Sequence, residues 1–227
     1  MKEKIIIALD FDQFEDAKKT VDALPNAVYF KVGLQAFLKF GDRIIPYLAE
    51  HNKKLFLDLK FKDIPNTVFG AVRSALKFSP DMLTIHLSGG KAMIQKAVEA
   101  AQEKPDLKVL GVTVLTSLGQ EDLADIGVDL SPRDAVLKLC QLGIESGLKA
   151  VVCSPMEIEP IRKQFGSQVQ LVTPGIRPAW AAKGDQKRVF TPKMAVEAGS
   201  DYLVIGRPIT QHQNPAEAFD LILQEIS

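Results

Sequence analysis

The stretch from Leu55 to Thr67, LFLDLKFKDIPNT, sets Asp58, Lys60 and Asp63 close together: two carboxylates around one ammonium. The apolar residues around them read as a buried strand, with the charges at its mouth. Asp58 and Lys60 are two positions apart, which on a strand puts both on the same side. Nearby negative charge favours the ammonium form of a lysine. A lysine held in that form is a proton donor, not a neutral amine poised to attack a carbonyl. The same string also occurs in solvated charged loops, where ion pairs contribute little. Asp63 has a local alternative as well. It precedes Ile64-Pro65, and proline suits a first helical position, so Asp63 also reads as a cap for the helix that follows.

The elements that must position these groups are visible as eight apolar runs. They are KIIIALD (4–10), AVYFKVG (27–33), KLFLDLK (54–60), DMLTIHL (81–87), KVLGVTVLT (108–116), KAVVCS (149–154), VQLVTPG (169–175) and DYLVIGR (201–207). Each is short, rich in Val, Ile, Leu or Phe, and bounded by turn residues, as strands buried on both faces are. Helical spacing appears between them. Residues 14–24 place Phe14, Ala17, Val21 and Leu24 on one face, and residues 91–102 and 215–226 repeat the pattern. Further helices are expected after Asp63, Ser131, Ser154 and Thr191. Ser131-Pro132 reads as an N-cap with proline at the first helical position, and Gly143 and Gly147 mark that helix's end. Eight strand–helix units in 227 residues predict an α/β fold, a (β/α)8 TIM barrel occupying residues 1–227 as one domain. No G-x-G-x-x-G follows the first strand, which runs into Asp10-Phe11-Asp12, so a dinucleotide-binding sheet loses its main support.

Composition narrows the function class. A chain with 46% hydrophobic and 25% charged residues is ordinary for a globular enzyme. Its 28 basic and 28 acidic side chains cancel, which argues against nucleic-acid or membrane partners. Cys140 and Cys153 have no ligand-like spacing, so neither a disulfide framework nor a metal site is expected, and Cys153 reads as a core residue. The apolar run Ile5–Ile7 is too short for a signal peptide or membrane span, and a cytoplasmic protein is the expectation.

Polar residues recur where the runs end: Asp10, Lys31, Asp58, Lys60, His86, Thr116, Ser154, Arg177 and Arg207. In a (β/α)8 barrel those ends converge on one face, where active sites lie. Phosphate commonly binds there after strands 7 and 8. Here those strands lead into Thr173-Pro174-Gly175-Ile176-Arg177-Pro178 and Ile205-Gly206-Arg207-Pro208. Gly206 would let backbone N–H groups approach an anion, and Arg207 supplies a charged fork. The polar loop from Pro178 to Thr191, with Lys183, Gly184, Asp185, Gln186, Lys187 and Arg188, reads either as a closing lid or as plain surface. Trp180 could anchor it. His86 is expected to be a hydrogen-bonded packing residue rather than a catalyst. His51 and His212 have no evident partner. Phe11, Phe56 and Phe61 read as core or pocket wall.

Across its whole length the chain resembles the orotidine 5′-phosphate decarboxylase family. The matching segments are ALDF (8–11), FKVGLQ (30–35), DLKFKDIPNT (58–67), TVLTS (113–117), TPGIRP (173–178), GDQKRV (184–189) and VIGRPIT (204–210). One departure is Lys62, where many relatives carry histidine; it lies outside the Asp58/Lys60/Asp63/Thr67 set. The resemblance implies a (β/α)8 barrel that converts orotidine 5′-phosphate to UMP and CO2, the last step of UMP synthesis, without cofactor or metal. It implies that Lys60 protonates C6 of the pyrimidine and that Asp58, Lys31 and Asp63 complete an alternating charged array. Asp10 and Lys31 would hold the ribose hydroxyls, Thr116 the pyrimidine, and Pro174 the pocket wall. Arg177, Gln186, Gly206 and Arg207 would hold the phosphate. Asp63 and Thr67 would enter the partner's pocket in a homodimer.

The nearest rival is a Mg2+-dependent sugar-phosphate decarboxylase of the 3-keto-gulonate 6-phosphate type, similar at the D-x-K-x-x-D string. Those enzymes hold the metal with an acidic residue after the second strand, where this chain has Lys31. A Schiff-base aldolase would need a lysine that gives up its proton readily. An inactive phosphate-binding module would fit a chain lacking Asp58 or Lys60, and both are present.

Overall fold

The computed structural model describes residues 1–181 and 190–227. Eight parallel strands close on themselves in sequence order: β1 Ile5–Ala8, β2 Tyr29–Gly33, β3 Lys54–Phe61, β4 Met82–His86, β5 Lys108–Val112, β6 Ala150–Val152, β7 Gln170–Thr173 and β8 Tyr202–Ile205. β1 pairs with both β2 and β8, which leaves the sheet no open edge. Each apolar run of the sequence contains its strand, except that β3 extends one residue past its run to Phe61, and the barrel is the architecture that the alternation predicts.

Helices carry the chain from the end of each strand to the start of the next. The first half has α1 Phe14–Ala23, α2 Leu34–Glu50, α3 Pro65–Ala75 and α4 Lys91–Ala101. The second half has α5 Gln120–Asp125, α6 Pro132–Glu145, α7 Ile158–Phe165, α8 Pro192–Glu197, α9 Arg207–Thr210 and α10 Pro215–Glu225. The start signals act as expected. The Ser131 hydroxyl accepts the Asp134 N–H at 3.1 Å, and the Thr191 hydroxyl accepts that of Met194 at 3.3 Å. Gly147, just past α6, has φ +95°, the left-handed conformation that suits glycine after a helix. The sequence reading named no helix at α2. That helix carries Pro46 inside it and a non-helical Phe40 beside Gly41, so it is two helical pieces joined at a kink.

Alternate strand residues divide into two apolar clusters. Ile5, Ile7, Phe30, Leu57 and Leu203 pack with helix residues such as Val21, Ile44 and Ile222, between barrel and helices. Ile6, Ala8, Tyr29, Phe56, Met82, Leu110, Ala150, Val172 and Val204 come from strands alone and fill the barrel. Every strand contributes, so the interior is a packed plug rather than a channel.

Candidate active site

The inward parity of the strands continues one step above that plug. Two residues beyond Ala8, Tyr29, Phe56 and Met82 stand Asp10, Lys31, Asp58 and Thr84. Two beyond Leu110, Ala150, Val172 and Val204 stand Val112, Val152, Pro174 and Gly206. All of these except Thr84 line a cavity of about 470 Å3 at the C-terminal mouth of the barrel. A side-chain period of two, carried by eight converging strands, therefore gathers groups that are remote in sequence.

The charges in this layer alternate in sign. Lys31 Nζ lies 3.0 Å from Asp10 Oδ1 and 3.5 Å from Asp58 Oδ2. Lys60 Nζ donates to both oxygens of Asp58, at 2.8 and 2.9 Å. Asp58 and Lys31 side chains are each 11% exposed, and Lys60 is 30% exposed toward the cavity. Burial pushes the Asp58 carboxyl up, but the Lys31 and Lys60 ammoniums and the Thr84 hydroxyl more than offset it, and the net result lies below the usual value. Alternation is what makes the buried Lys31 and Asp58 tolerable, since each has an opposite neighbour. Gly33 leaves room for the array: a Cβ there would lie 3.1 Å from Lys31 Nζ and 3.3 Å from Asp10 Oδ1.

Asp58 and Lys60 meet as expected, but not through regular strand alternation. Lys60 has φ +52°, and the β3–β4 register shifts between Leu57 and Phe61. A left-handed residue at a bulge aims the lysine, where the sequence suggested a plain two-residue repeat.

Thr116, Arg177 and Arg207 join Pro174 and Gly206 in lining the cavity, with Thr116 and Arg207 exposed at its rim. A second hollow of about 370 Å3 runs from Arg177 and Arg207 to Trp180, Gln211 and His212. Trp180 packs edge-on against His212, with ring centres 5.4 Å apart. Gln186 and its neighbours from Lys183 to Arg188 lie outside the described residues.

Two expected site residues do not reach this cavity. Asp63 and Thr67 are exposed at the start of α3 and line none of it. Asp63 Oδ1 instead accepts the Ile64 N–H at 2.7 Å, serving the turn into α3. Two polar strand-end residues also fall outside the cavity lining. Ser154 N–H donates to Glu157 Oε2 at 2.7 Å, closing the entry to the next helical turn. His86 is half-buried and, among the described residues, makes no side-chain hydrogen bond, unlike the packed histidine expected. Burial, then Lys62 and Lys60, hold its imidazole below the usual value. Phe11 and Phe56 do form pocket wall, and so does the buried Cys153.

The sequence reading missed Thr84, Val112, Val152 and Ile176. The same step of two that singles out Asp58 would have found the first three. Among the described residues no three His, Cys, Asp or Glu side chains converge as metal ligands, and the carboxylate of Asp58 is already engaged by two ammoniums.

Such an array can stabilise negative charge developing beside Lys60 and supply a proton there, while the arginines engage an anion at the rim. Known proteins carry the same framework. The sequence profile of the orotidine 5′-phosphate decarboxylase / HUMPS family matches residues 3–222. The orotidine 5′-phosphate decarboxylase of Gloeothece citriformis is 44% identical over 230 aligned positions, covering 100% of this chain and 99% of the relative. That of Actinobacillus succinogenes is 48% identical, covering 96% of this chain and 95% of its own. The crystal structure of orotidine 5′-phosphate decarboxylase from Lactobacillus acidophilus superposes with a TM-score of 0.88 at 36% identity, covering 99% of both chains. With its barrel and nearly its whole length shared, the chain belongs to the orotidine 5′-phosphate decarboxylase / HUMPS family.

Proposed function

We propose that the protein decarboxylates orotidine 5′-phosphate to UMP and CO2, completing pyrimidine nucleotide synthesis, and that it does so with its own side chains alone. The observation that carries this reading is the Lys60 ammonium, held on both oxygens of a buried Asp58 and facing the cavity. As the bond from C6 to the carboxylate breaks, its electron pair stays on C6 and CO2 departs. No electron sink is attached to that carbon, so the developing charge needs a fixed cation beside it. Lys60 provides the cation and then the proton, and recovers a proton from solvent. Asp58 would stand against the substrate carboxylate and disfavour the bound ground state.

Asp10 and Lys31 are assigned to the ribose hydroxyls, Thr116 to the pyrimidine, and Pro174 to the wall beside it. Val112, Val152 and Ile176 offer an apolar surface for the ring. Arg177, Gly206 and Arg207 are assigned to the phosphate, with Gln186 joining them from its loop. Binding energy collected at the phosphate can then assist the chemistry at the other end. The Mg2+-dependent sugar-phosphate reaction is disfavoured by Lys31, which occupies the place of a metal-binding acid with its ammonium between Asp10 and Asp58.

The working unit is proposed to be a homodimer that shares its sites. Asp63 and Thr67 face away from their own cavity. Beside them in sequence, Ile64 is 68% exposed. A second copy covering this face would bring Asp63 to its partner's Lys60. Among the described residues no helix is long and apolar enough to cross a membrane, and cytoplasmic action is proposed.

The direct test follows loss of orotidine 5′-phosphate absorbance with EDTA present, and identifies UMP and CO2 as products. Activity abolished by chelation and restored by Mg2+ would overturn the metal-free reading. The shared site is tested by mixing Lys60→Ala with Asp63→Ala under exchange conditions. Random reassortment gives about half mixed dimers, so about a quarter of all sites regain both groups. Confirmed heterodimers without regained activity would return Asp63 to its own chain.

A further inference from the structure

We propose that Thr84 is the positioning residue that holds Asp58 and Lys60 in their working geometry, an assignment that rests on the decarboxylase reading above. Leu57 pairs with Leu83 and Phe61 with Ile85, so Asp58, Leu59 and Lys60 together oppose the one residue Thr84. A regular ladder opposes one residue with one. The excess on β3 leaves its backbone without ladder partners from β4, and Lys60 sits there at φ +52°. The Thr84 side chain takes the place of the missing acceptor: its Oγ1 receives the Lys60 N–H at 2.9 Å.

The same hydroxyl has one proton, and it goes to Asp58 Oδ1 at 2.9 Å. The direction of that bond is determined. The Lys60 amide can only donate and the ionised Asp58 carboxylate can only accept, so Thr84 Oγ1 accepts from the first and donates to the second. One side chain therefore pins the backbone of the proton donor and the carboxylate that holds its ammonium. Thr84 is wholly buried and does not line the cavity, so it acts through its neighbours. The charged or titratable groups around Asp58 are Lys60 on its own strand, Lys31 on β2, Asp10 beyond Lys31, and His86 on β4. Against them the hydroxyl supplies a neutral donor to the carboxylate, which favours its ionised form.

Thr84→Val keeps the shape and removes both bonds; Thr84→Ser keeps both bonds. In ligand-free protein, exchange of the Lys60 amide should accelerate roughly tenfold or more in Thr84→Val. The Asp58 carboxyl, followed by carbon NMR and identified with Asp58→Asn, should titrate at higher pH than in the wild type. In turnover, kcat should fall roughly 10- to 100-fold while KM moves less than about threefold, because the phosphate contacts lie elsewhere. Thr84→Ser should restore all three. Should Thr84→Val fail to fold, Thr84→Ala is read in the same way. Wild-type exchange and titration in the hydroxyl-free variant overturn the proposal, and so does a folded Thr84→Ser that restores neither. The two ligand-free readouts are independent of substrate, so a wild-type protein that releases no CO2 from orotidine 5′-phosphate would sink the functional reading alone.

Discussion

The inward layer above the barrel plug differs between its two halves. From β1 to β4 it holds Asp10, Lys31, Asp58 and Thr84; from β5 to β8 it holds Val112, Val152, Pro174 and Gly206. Both halves are built by the same step of two residues from equivalent strands. The barrel decides where the side chains gather, and the residue type decides what they do there. The charged half pairs its own groups, Lys31 with Asp10 and Asp58, and Asp58 with Thr84. The apolar half gives the opposite wall no charged side chain in this layer. Among the described residues, cations return at the rim of the second half, on Arg177 and Arg207.

The strongest way to break this division is to remove the charge to which the chemistry is assigned in the proposed reaction. Lys60→Ala should lower turnover by roughly 10^4-fold or more, because proton donation and charge stabilisation go together. UMP affinity, measured calorimetrically, should remain readable, since the arginines lie on the other half. Substantial residual turnover would remove Lys60 from the role of proton donor.

Arg207→Ala tests the cationic rim. Losing a charged hydrogen bond should weaken the phosphorylated substrate by about 1.5–3 kcal/mol in kcat/KM, and orotidine itself far less. Equal losses on both substrates would place Arg207 away from the phosphate.

The apolar half should respond in stability before activity. Val112 is 2% exposed, and Val112→Ala should reduce unfolding free energy by about 1–2 kcal/mol while turnover stays within about tenfold. A larger loss of turnover than of stability would show that this wall also tunes the charged array.

The smallest effect concerns acid. Lys31 and Lys60, with Thr84, outweigh burial and hold Asp58 below the usual value. A depressed folded value means that its stabilisation is complete above the unfolded value of about 3.9 and is lost as pH falls through the lower folded value. Urea midpoints should therefore drop more steeply below about pH 4 in the wild type than in Asp58→Asn. Parallel profiles would remove Asp58 from the acid response.

Much of this organisation could be read before any coordinates. Runs such as AVYFKVG and DYLVIGR are too short for buried helices and too evenly apolar for surface strands. Ser131 and Thr191 marked helix starts because their hydroxyls replace missing acceptors. α2 escaped notice because Gly41 and Pro46 punctuate it, although Ala36, Phe40, Ile44 and Leu48 keep helical spacing through both. In the site, charge drew attention to Asp58 and Lys60, but nothing about lysine signals a left-handed backbone. Thr84 looked like an ordinary strand former, since threonine is common in strands for steric reasons alone. Val112 and Val152 were readable as strand but not as cavity wall. Asp63 and Thr67 lie exposed at the start of α3, outside the cavity, so the charge spacing that placed them beside Lys60 did not by itself give their position.

The φ of +52° at Lys60 has a consequence for how such a protein would drift under laboratory selection. A non-glycine residue in that conformation costs about 1–2 kcal/mol relative to ordinary backbone, and glycine largely avoids the penalty. A library screened only for heat tolerance would weigh that relief against the loss of one of the two ammoniums that offset the burial of Asp58. The backbone gain and the lost ion pair oppose each other, so position 60 would resist glycine even in a screen that ignores turnover.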